Sequence, residues 1–213
     1  MTHFIIVRHG ESEGNARGEF HGQYNSDLTE RGHAQAECTA VFADRYTIDR
    51  IYASDIRRAF STAKHTADRR GMAVIPNEGL REIYAGAWER MKFDDIAVRY
   101  PEEYRVWHED IAFATPPEGE SVAALAARVN TAFERIAKEN DGRTVLVATH
   151  ATPIRAMRCL WADKTIQTMA QTPWAPNASV TKAVYDGTFH LEEYGYAEHL
   201  LAAGLLTGLP KKI

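Results

Sequence analysis

The sequence predicts an α/β fold of three layers, α/β/α, with helices covering both faces of a mostly parallel central sheet. Two apolar runs, residues 5–7 and 145–148, stop abruptly at polar side chains, as buried strands do at the ligand-binding edge of such a sheet. A strand, a helix and a second strand follow one another over residues 50–76, which indicates parallel strands joined by right-handed crossovers. No Pro-, Gly- or Ser-rich linker divides the chain, so residues 1–213 are expected to form a single domain.

Composition restricts the class of protein. The chain has 45% hydrophobic and 25% charged residues, a mixture typical of a folded domain with a large core. A formal net charge of −4 provides no overall basic surface, so neither nucleic acid nor a membrane is expected as a partner. The first residues lack the basic region of a signal peptide, and a cytoplasmic location is predicted. Cys38 and Cys159 have no metal-ligand spacing and are expected to be buried, reduced thiols.

The first half of the chain contains the predicted loop and the first crossover helices. Residues 14–27 are polar and punctuated by glycines, which predicts a long surface loop overhanging the end of the first strand. A helix follows over residues 29–46, with Thr29 as its N-cap. The next strand, helix and strand are predicted at residues 50–54, 55–70 and 72–76. The buried face of the helix over residues 29–46 is expected to carry Ala34, Val41 and Phe42.

The stretch after the third strand predicts a small helical cap insertion at about residues 83–118. Prolines interrupt this stretch, and its aromatic and charged composition indicates short helices. We favour packing of the aromatic side chains between cap and sheet over a dedicated aromatic substrate site. The aromatic residues are Tyr84, Trp88, Phe93, Tyr100, Tyr104, Trp107 and Phe113.

The C-terminal part of the chain supplies the last strands. Apolar residues recur at helical spacing over residues 121–141, and a fully buried parallel strand is predicted at 144–148. Thr152 and Pro153 are predicted to be the N-cap and the first residue of the next helix. Residues 179–194 predict a hairpin that adds an antiparallel edge strand, and the leucine-rich tail predicts a short helix that packs back onto the domain.

Four polar features follow predicted strands, and each has an ordinary structural explanation by itself. Surface arginines, one acidic residue among 29 and a hydrogen-bonded core histidine are common in folded proteins. The carboxyl ends of parallel strands meet at one edge of a sheet, so their joint occurrence predicts a shared site instead. The features are Arg8-His9, Arg57-Arg58, Glu82 and His150.

These residue types favour phosphoryl transfer through a histidine. Two guanidinium groups can hold phosphoryl oxygens in bidentate hydrogen bonds, and a second histidine adds a donor. His9 is the predicted nucleophile, neutral at its attacking nitrogen and held in one tautomer by a hydrogen bond at the other. Glu82 is predicted to protonate the leaving oxygen and then to take a proton from the hydrolytic water. Because the arginines supply the positive charge, neither a metal ion nor a cofactor is expected.

Several motifs carry a resemblance to a known family. In chain order they include Arg8-His9-Gly10-Glu11-Ser12, Leu28-Thr29-Glu30-Arg31-Gly32, Ser54-Asp55-Ile56-Arg57-Arg58-Ala59, Leu80-Arg81-Glu82, Pro117-Glu118-Gly119-Glu120-Ser121 and Thr149-His150. Over residues 4–160 the chain resembles the histidine phosphatase (phosphoglycerate mutase-like) superfamily. It departs from the family pattern at Ala151-Thr152, where Gly-Gly is common, and at Asn25-Ser26-Asp27, where the family has Asp-x-Pro.

The resemblance implies a role for each matched residue. It implies that His9 is phosphorylated and that Glu82 is the acid and base. Arg8, Arg58 and His150 match residues that bind the phosphoryl group, and Arg58 fits that position better than Arg57. Asn15 and the backbone of Gly22 match family substrate contacts. The candidate substrate-binding residues are Asn15, His21, Gly22, Gln23 and Ala151.

Three functions are compared. Phosphoglycerate mutases of this family place a tyrosine three residues after the catalytic glutamate and carry an adjacent arginine pair in a central insertion. This chain has Ala85 at that position, and Arg90, Arg99 and Arg105 stand singly, so we favour a phosphatase acting on a small phosphomonoester. A mutase is the alternative, and a non-catalytic phospholigand-binding domain is the alternative of another class. No GxGxxG follows the first strand, which argues against a dinucleotide-binding fold. Homo-oligomerisation is left open.

Overall fold

The computed structural model describes residues 1–206 and contains one six-stranded sheet with the strand order β3-β2-β4-β1-β5-β6. Strands β3, β2, β4 and β1 are parallel to one another, β5 pairs with β1 in the antiparallel sense, and β6 pairs with β5 in the antiparallel sense. The strands are β1 (Thr2–Arg8), β2 (Arg50–Ala53), β3 (Val74–Pro76), β4 (Thr144–Thr149), β5 (Val180–Tyr185) and β6 (Phe189–Tyr196).

Two layers of buried side chains confirm the three-layer prediction. Strand residues alternate between the faces of a sheet, so Phe4 and Ile6 of β1 point into one core while Ile5 and Val7 point into the other. Helices α6 and α7 pack on the first face, and α2 and α3 pack on the second. The helices are α1 (Glu13–Arg17), α2 (Glu30–Ala43), α3 (Arg57–Arg70), α4 (Phe93–Arg99), α5 (Pro101–Glu109), α6 (Val122–Glu139), α7 (Ala151–Arg158) and α8 (Glu198–Ala202).

The antiparallel edge is larger than predicted. β5 pairs with β1 in the interior of the sheet, and β6 is the outer strand, so both strands of the predicted hairpin join the sheet. β1 is therefore an interior strand of the sheet, because β4 lies on its other side. Side chains of the two cores cover β1 on both faces, which explains why residues 4–7 are continuously apolar.

Three local predictions were wrong. The polar stretch after β1 begins with the short helix α1, whose N-cap Ser12 accepts a hydrogen bond from the Asn15 amide. On α2 the cap Thr29 and the burial of Phe42 are confirmed, but Val41 is 52% exposed and Ala34 is exposed, because the rest of the buried face of α2 consists mainly of small residues. The small buried residues of α2 are Gly32, Ala36, Thr39, Ala40 and Ala43.

The start of α7 is the third of these corrections. The helix begins at Ala151 with His150 as its N-cap residue, rather than at Pro153 with Thr152 as the cap. Thr152 lies within the first turn, and its amide donates to a carboxylate oxygen of Glu82 at 3.2 Å. An unpaired amide at this helix N-terminus is therefore satisfied by a side chain from another segment, and a local sequence pattern does not reveal such a contact.

The predicted cap contains α4 and α5, and its aromatic residues divide between two roles. Trp88 and Trp107 pack edge-on against Phe20 at centroid distances of 5.4 and 4.9 Å, so part of the cluster is core packing as favoured. Phe93 and Trp107 also line a cavity, described below. The division of the chain into one domain with a cap insertion stays a prediction.

Three further predictions concern the C-terminal tail, the two cysteines and the membrane. Helix α8 places Leu200 in the core, whereas Leu201 is 65% exposed. Cys159 is buried as expected, but Cys38 is only partly buried. Among residues 1–206, no helix combines the length and apolar character needed to cross a bilayer.

Candidate active site

The two histidines lie together because β1 and β4 are paired in register. Arg8 is opposite Thr149 in the parallel pair, so the residues that follow the two strands, His9 and His150, leave the sheet side by side. Their ring centroids are 5.2 Å apart in an edge-on arrangement. The His9 amide donates to the Thr149 carbonyl oxygen at 3.0 Å, which extends the strand pairing up to the histidine itself.

Hydrogen bonding fixes the tautomer of His9. Its Nδ1 lies 2.7 Å from the Gly10 carbonyl oxygen. A carbonyl oxygen only accepts, so Nδ1 carries the proton. Burial, together with the charges of Arg58 and Arg8, holds the pKa of His9 well below its usual value, so the ring is neutral near pH 7. Nε2 consequently has a free lone pair, and it accepts a hydrogen bond from Arg58 Nε at 3.3 Å.

The turn after His9 depends on two glycines that touch. A Cβ on Gly10 would clash with the backbone of Gly32, and a Cβ on Gly32 would clash with the backbone of Glu11. The first turn of α2 therefore packs directly against the segment that follows the nucleophile candidate. The Gly10 amide is held as well, because it donates to Thr62 Oγ1 of α3 at 3.0 Å.

Two buried arginines supply positive charge. Arg58, in the first turn of α3, is 1% exposed and donates to the carbonyl oxygens of Gly22 at 2.8 Å and Tyr24 at 2.9 Å. Arg8 Nη1 donates to the Ala175 carbonyl oxygen at 2.6 Å, while its Nε has no protein partner among the described residues. Burial lowers the pKa of each to about 10, which leaves both charged at neutral pH.

Arg57 behaves differently from its neighbour. Its side chain is exposed and makes a long ion pair with Asp27, at 3.9 Å. Successive residues of a helix point about 100° apart, so only one of two adjacent arginines can face the sheet edge. The orientation of α3 places the side chain of Arg58, and not that of Arg57, at this edge.

Glu82 reaches the site from a turn rather than directly from a strand end. Leu80 accepts a hydrogen bond from Thr149 Oγ1 at 2.7 Å, which ties the segment before Glu82 to the end of β4. One carboxylate oxygen of Glu82 accepts from the Ile83 amide at 2.8 Å and the other from the Thr152 amide at 3.2 Å. Glu82 is 8% exposed, and it lines the cavity described below.

His150 is entirely buried behind His9. Its Nε2 lies 2.8 Å from Ser54 Oγ, and its Nδ1 has no hydrogen-bond partner among residues 1–206. Ser54 Oγ also accepts from the Ile56 amide at 3.3 Å, so its proton can be donated to His150 Nε2. In that arrangement Nδ1 carries the ring proton and is a free donor. Burial and the Arg58 charge lower the pKa of His150 well below its usual value.

The predicted substrate contacts fall into two groups. Asn15, His21, Gly22 and Ala151 line the cavity. Gln23 does not: its side-chain amide donates to the Glu82 carbonyl oxygen at 3.1 Å, so it positions the glutamate segment instead of facing the cavity.

Gly22 is required by its backbone. Its φ is +51°, and a Cβ would lie 2.6 Å from the Ala85 Cβ. Its carbonyl oxygen accepts from Arg58, so the tight turn at Gly22 places an acceptor against the buried guanidinium. Nearby, His21 Nε2 lies 3.2 Å from Ser12 Oγ, and burial lowers the pKa of His21 to about 3.

These residues surround a cavity of about 860 Å³ at the carboxyl edge of the parallel strands. Its lining combines the charged and polar side chains of Arg8, His9, Arg58 and Glu82 with aromatic side chains, which are Phe20, Phe93, Trp107 and Trp174. The sequence analysis missed the wall formed by residues 170–174 and Arg155 of α7. That wall belongs to no motif, and the burial of Arg155 cannot be read from the sequence. Within the described chain, no three His, Cys, Asp or Glu side chains converge as metal ligands.

The three buried histidines predict a loss of stability in acid. Their folded-state pKa values are lowered, whereas an unfolded histidine titrates near pH 6.5. Below that pH the unfolded chain binds protons that the folded chain does not. Stability is thus fully present above about pH 6.5 and falls toward pH 3, by roughly 1.4 kcal/mol per pH unit for each histidine. Urea unfolding at pH 7.5, 6 and 5 measures this slope, and His21→Asn should make it shallower; equal slopes would contradict the assignment.

Comparison with known proteins identifies the family. The model of the histidine phosphatase superfamily (branch 1) matches residues 4–195 of this chain. The chain belongs to this superfamily. Phosphoserine phosphatase 1 of Hydrogenobacter thermophilus is 36% identical over 159 residues, which are 75% of each protein. A probable phosphoglycerate mutase of Photorhabdus laumondii is 34% identical over 164 residues, covering 75% of this chain and 73% of that protein.

A solved structure agrees with the fold of this histidine phosphatase superfamily member. A mycobacterial glucosyl-3-phosphoglycerate phosphatase has a TM-score of 0.84 and 26% identity, over 91% of this chain and 98% of that chain. The predictions of family and of α/β fold are therefore confirmed. Similar proteins include phosphatases of small phosphorylated metabolites and a probable mutase, which are the two enzyme classes that the sequence left to compare.

Proposed function

We propose that this chain is a metal-independent phosphomonoesterase that acts on a small phosphorylated metabolite through a phosphohistidine. The observation that carries the proposal is the state of His9: neutral, with Nδ1 bound to Gly10 and Nε2 unprotonated beside Arg58. A histidine held in this way is an activated nucleophile with one defined attacking atom. The names of similar proteins, a phosphoserine phosphatase and a glucosyl-3-phosphoglycerate phosphatase, support the same reaction class.

In the first half-reaction, His9 Nε2 attacks phosphorus while the ester P–O bond breaks. Arg8 and Arg58 bind the equatorial oxygens, and His150 Nδ1 donates a further hydrogen bond, so the developing charge meets donors that are already in place. Glu82 gives its proton to the departing oxygen. For this step Arg58 exchanges its hydrogen bond to His9 for one to the phosphoryl group.

In the second half-reaction, water attacks the phosphohistidine and the N–P bond breaks. Glu82, now a carboxylate, takes a proton from that water and returns to its starting state. The lone pair returns to His9 Nε2, and inorganic phosphate leaves. Residues of the chain supply every charge that this cycle needs, which is why we propose that it requires no metal ion.

The phosphatase is preferred to the mutase because neither position 85 nor the arginines between Glu82 and Ser121 provide an additional contact for a bisphosphate. Ala85 is fully buried. Arg90 and Arg99 lie over the rings of Tyr24 and Tyr100, and Arg105 pairs with Glu102 and Glu109. None of these three arginines lines the cavity. A mutase must retain and turn its intermediate while excluding water, which requires further charged contacts.

Turnover of a panel of phosphomonoesters in EDTA tests the proposal. We expect phosphate release from at least one small metabolite to exceed, by far, the interconversion of phosphoglycerates in the presence of a bisphosphoglycerate primer. Efficient primer-dependent isomerisation with negligible phosphate release would assign the chain to the mutases. Activity that is lost in EDTA and restored by a metal would refute metal independence. Binding of phosphomonoesters without turnover of either kind would favour the phospholigand-binding alternative.

Glu82→Gln should discriminate between leaving groups. The substitution keeps the shape of the side chain but removes its proton transfer, so alkyl phosphates, whose leaving oxygen is basic, should lose on the order of 100-fold or more in kcat. 4-Nitrophenyl phosphate should lose much less in the step that releases nitrophenol, because its leaving oxygen needs little protonation. Pre-steady-state release of each alcohol measures this difference. Equal losses would remove Glu82 from the acid role.

A cytoplasmic location and the state of assembly stay predictions. Size-exclusion chromatography with light scattering measures the mass in solution.

A further inference from the structure

Arg155 is a third guanidinium on the cavity wall, and the phosphoryl chemistry proposed above does not use it. It projects from α7, five residues after His150, and is 7% exposed. Its Nε donates to the Thr172 carbonyl oxygen at 2.8 Å. Its guanidinium carbon lies 4.1 Å from the centre of the Trp174 ring, so one face of the planar group is covered.

The charge of Arg155 has no carboxylate partner among residues 1–206. Other arginines with partly buried side chains pair with carboxylates: Arg81 with Asp55, Arg128 with Glu120 and Arg158 with Asp163. No carboxylate of residues 1–206 pairs with Arg155, and no hydrogen-bond acceptor of those residues contacts its two Nη groups, although the residue lines the cavity. Burial of an unpaired charge is costly, and it persists where a ligand supplies the missing charge.

The wall beside Arg155 is fixed relative to the phosphoryl site. Three side chains hold consecutive parts of it through backbone carbonyl oxygens. Arg155 binds that of Thr172, Tyr194 Oη donates to that of Pro173 at 2.7 Å, and Arg8 binds that of Ala175. Arg8 and Arg155 are thus anchored to the same four-residue segment, so the distance between the two cations is set by the fold and is independent of substrate.

We propose that Arg155 binds a carboxylate of the substrate, and that this enzyme prefers small phosphomonoesters that carry a carboxylate. Two free Nη groups lie along one edge of the guanidinium, and their spacing matches the two oxygens of a carboxylate. Trp174 covers the face, which directs the ligand to that edge. A single guanidinium neutralises one negative charge, as a carboxylate requires. This inference rests on the proposed function, whose phosphoryl site it extends.

Matched substrate pairs test the inference. O-phosphoserine and phosphoethanolamine differ only in the carboxylate. In the second pair, glycerol 1-phosphate has a hydroxymethyl group where 3-phosphoglycerate has the carboxylate. In at least one pair, we expect the carboxylated member to have a kcat/KM roughly 10- to 100-fold higher. Arg155→Gln should reduce that ratio to near one, and Arg155→Lys, which keeps the charge but not the fork, should retain part of it.

Arg158→Gln is the matched control. Arg158 lies on the same helix, contacts Thr172 Oγ1 at 3.4 Å and pairs with Asp163, but does not line the cavity. Its substitution disturbs the same wall without removing cavity charge, so the ratio should stay at its wild-type value. If Arg155→Gln lowers both members of each pair equally, Arg155 is a structural residue and the inference is wrong. Equal preference in the wild-type enzyme refutes it as well.

A binding measurement separates this inference from the reaction mechanism. In a His9→Ala background, calorimetric titration with phosphoserine and with phosphoethanolamine reports the carboxylate preference as a ratio of Kd values. Adding Arg155→Gln should abolish that ratio. A chain that turns over no phosphomonoester but shows the ratio would refute the proposed hydrolysis and keep the carboxylate site. Hydrolysis of phosphomonoesters with equal Kd values for the two ligands would refute the carboxylate site and keep the proposed hydrolysis.

Discussion

His9→Ala should lose on the order of 10⁴-fold or more in phosphate release, with no acid-labile phosphate on the protein. The proposed cycle passes entirely through a bond between phosphorus and His9 Nε2, and no neighbouring group can replace it. His150 is the nearest other imidazole, but its Nε2 is bonded to Ser54 Oγ and its Nδ1 carries the ring proton in the proposed arrangement, so neither nitrogen has a lone pair available for attack. Rapid quenching with labelled substrate, followed by acid and base treatment of the protein, detects the phosphohistidine directly.

His190→Ala is the matched control for that loss. His190 is an exposed histidine of the β5–β6 hairpin, and its side chain contacts Asp186 and Thr188. Its substitution should leave turnover and phosphorylation at their wild-type levels. Turnover near the wild-type rate in His9→Ala would end the phosphohistidine mechanism, even if binding of phosphate were unchanged.

Arg58→Ala should lose on the order of 100- to 1000-fold in kcat, and less in ground-state binding. The guanidinium is aimed at the atoms that gain charge in the transition state, since its Nε already contacts His9 Nε2, the attacking atom. The substitution also removes donors to Gly22 and Tyr24, so some disorder of that turn is expected. Arg58→Lys separates the two effects, because it keeps the charge and loses the fork.

The neighbouring Arg57 provides the control for Arg58. Arg57→Ala removes an identical side chain from the adjacent position, but that side chain is 60% exposed. Its kinetic constants should stay within about twofold of the wild type, as for most surface substitutions. Steady-state kinetics on the best substrate of the panel measure both variants. A change confined to KM in Arg58→Ala would contradict a role in the chemical step.

The sequence by itself determined the features that depend on residues adjacent in the chain. Continuously apolar runs identified β1 and β4, and the residues that follow them identified His9 and His150. Because parallel strands in one sheet end at the same edge, this local information was enough to predict a shared site. Motifs of adjacent residues likewise indicated the family, which the family model then confirmed. Each of these inferences uses an interaction whose partners are close in sequence or related by the regularity of a sheet.

Only the tertiary structure decided which atoms face the substrate. The orientation of the His9 ring, the N-terminus of α7 at Ala151 and the inward position of Arg58 depend on contacts between distant segments. The clearest example is the wall at residues 172–175, held to Arg8 across 167 positions and to Arg155 across 17. No periodicity or spacing encodes a hydrogen bond from a side chain to a remote carbonyl oxygen. The substrate wall was therefore invisible in the sequence, although the nucleophile it faces was not.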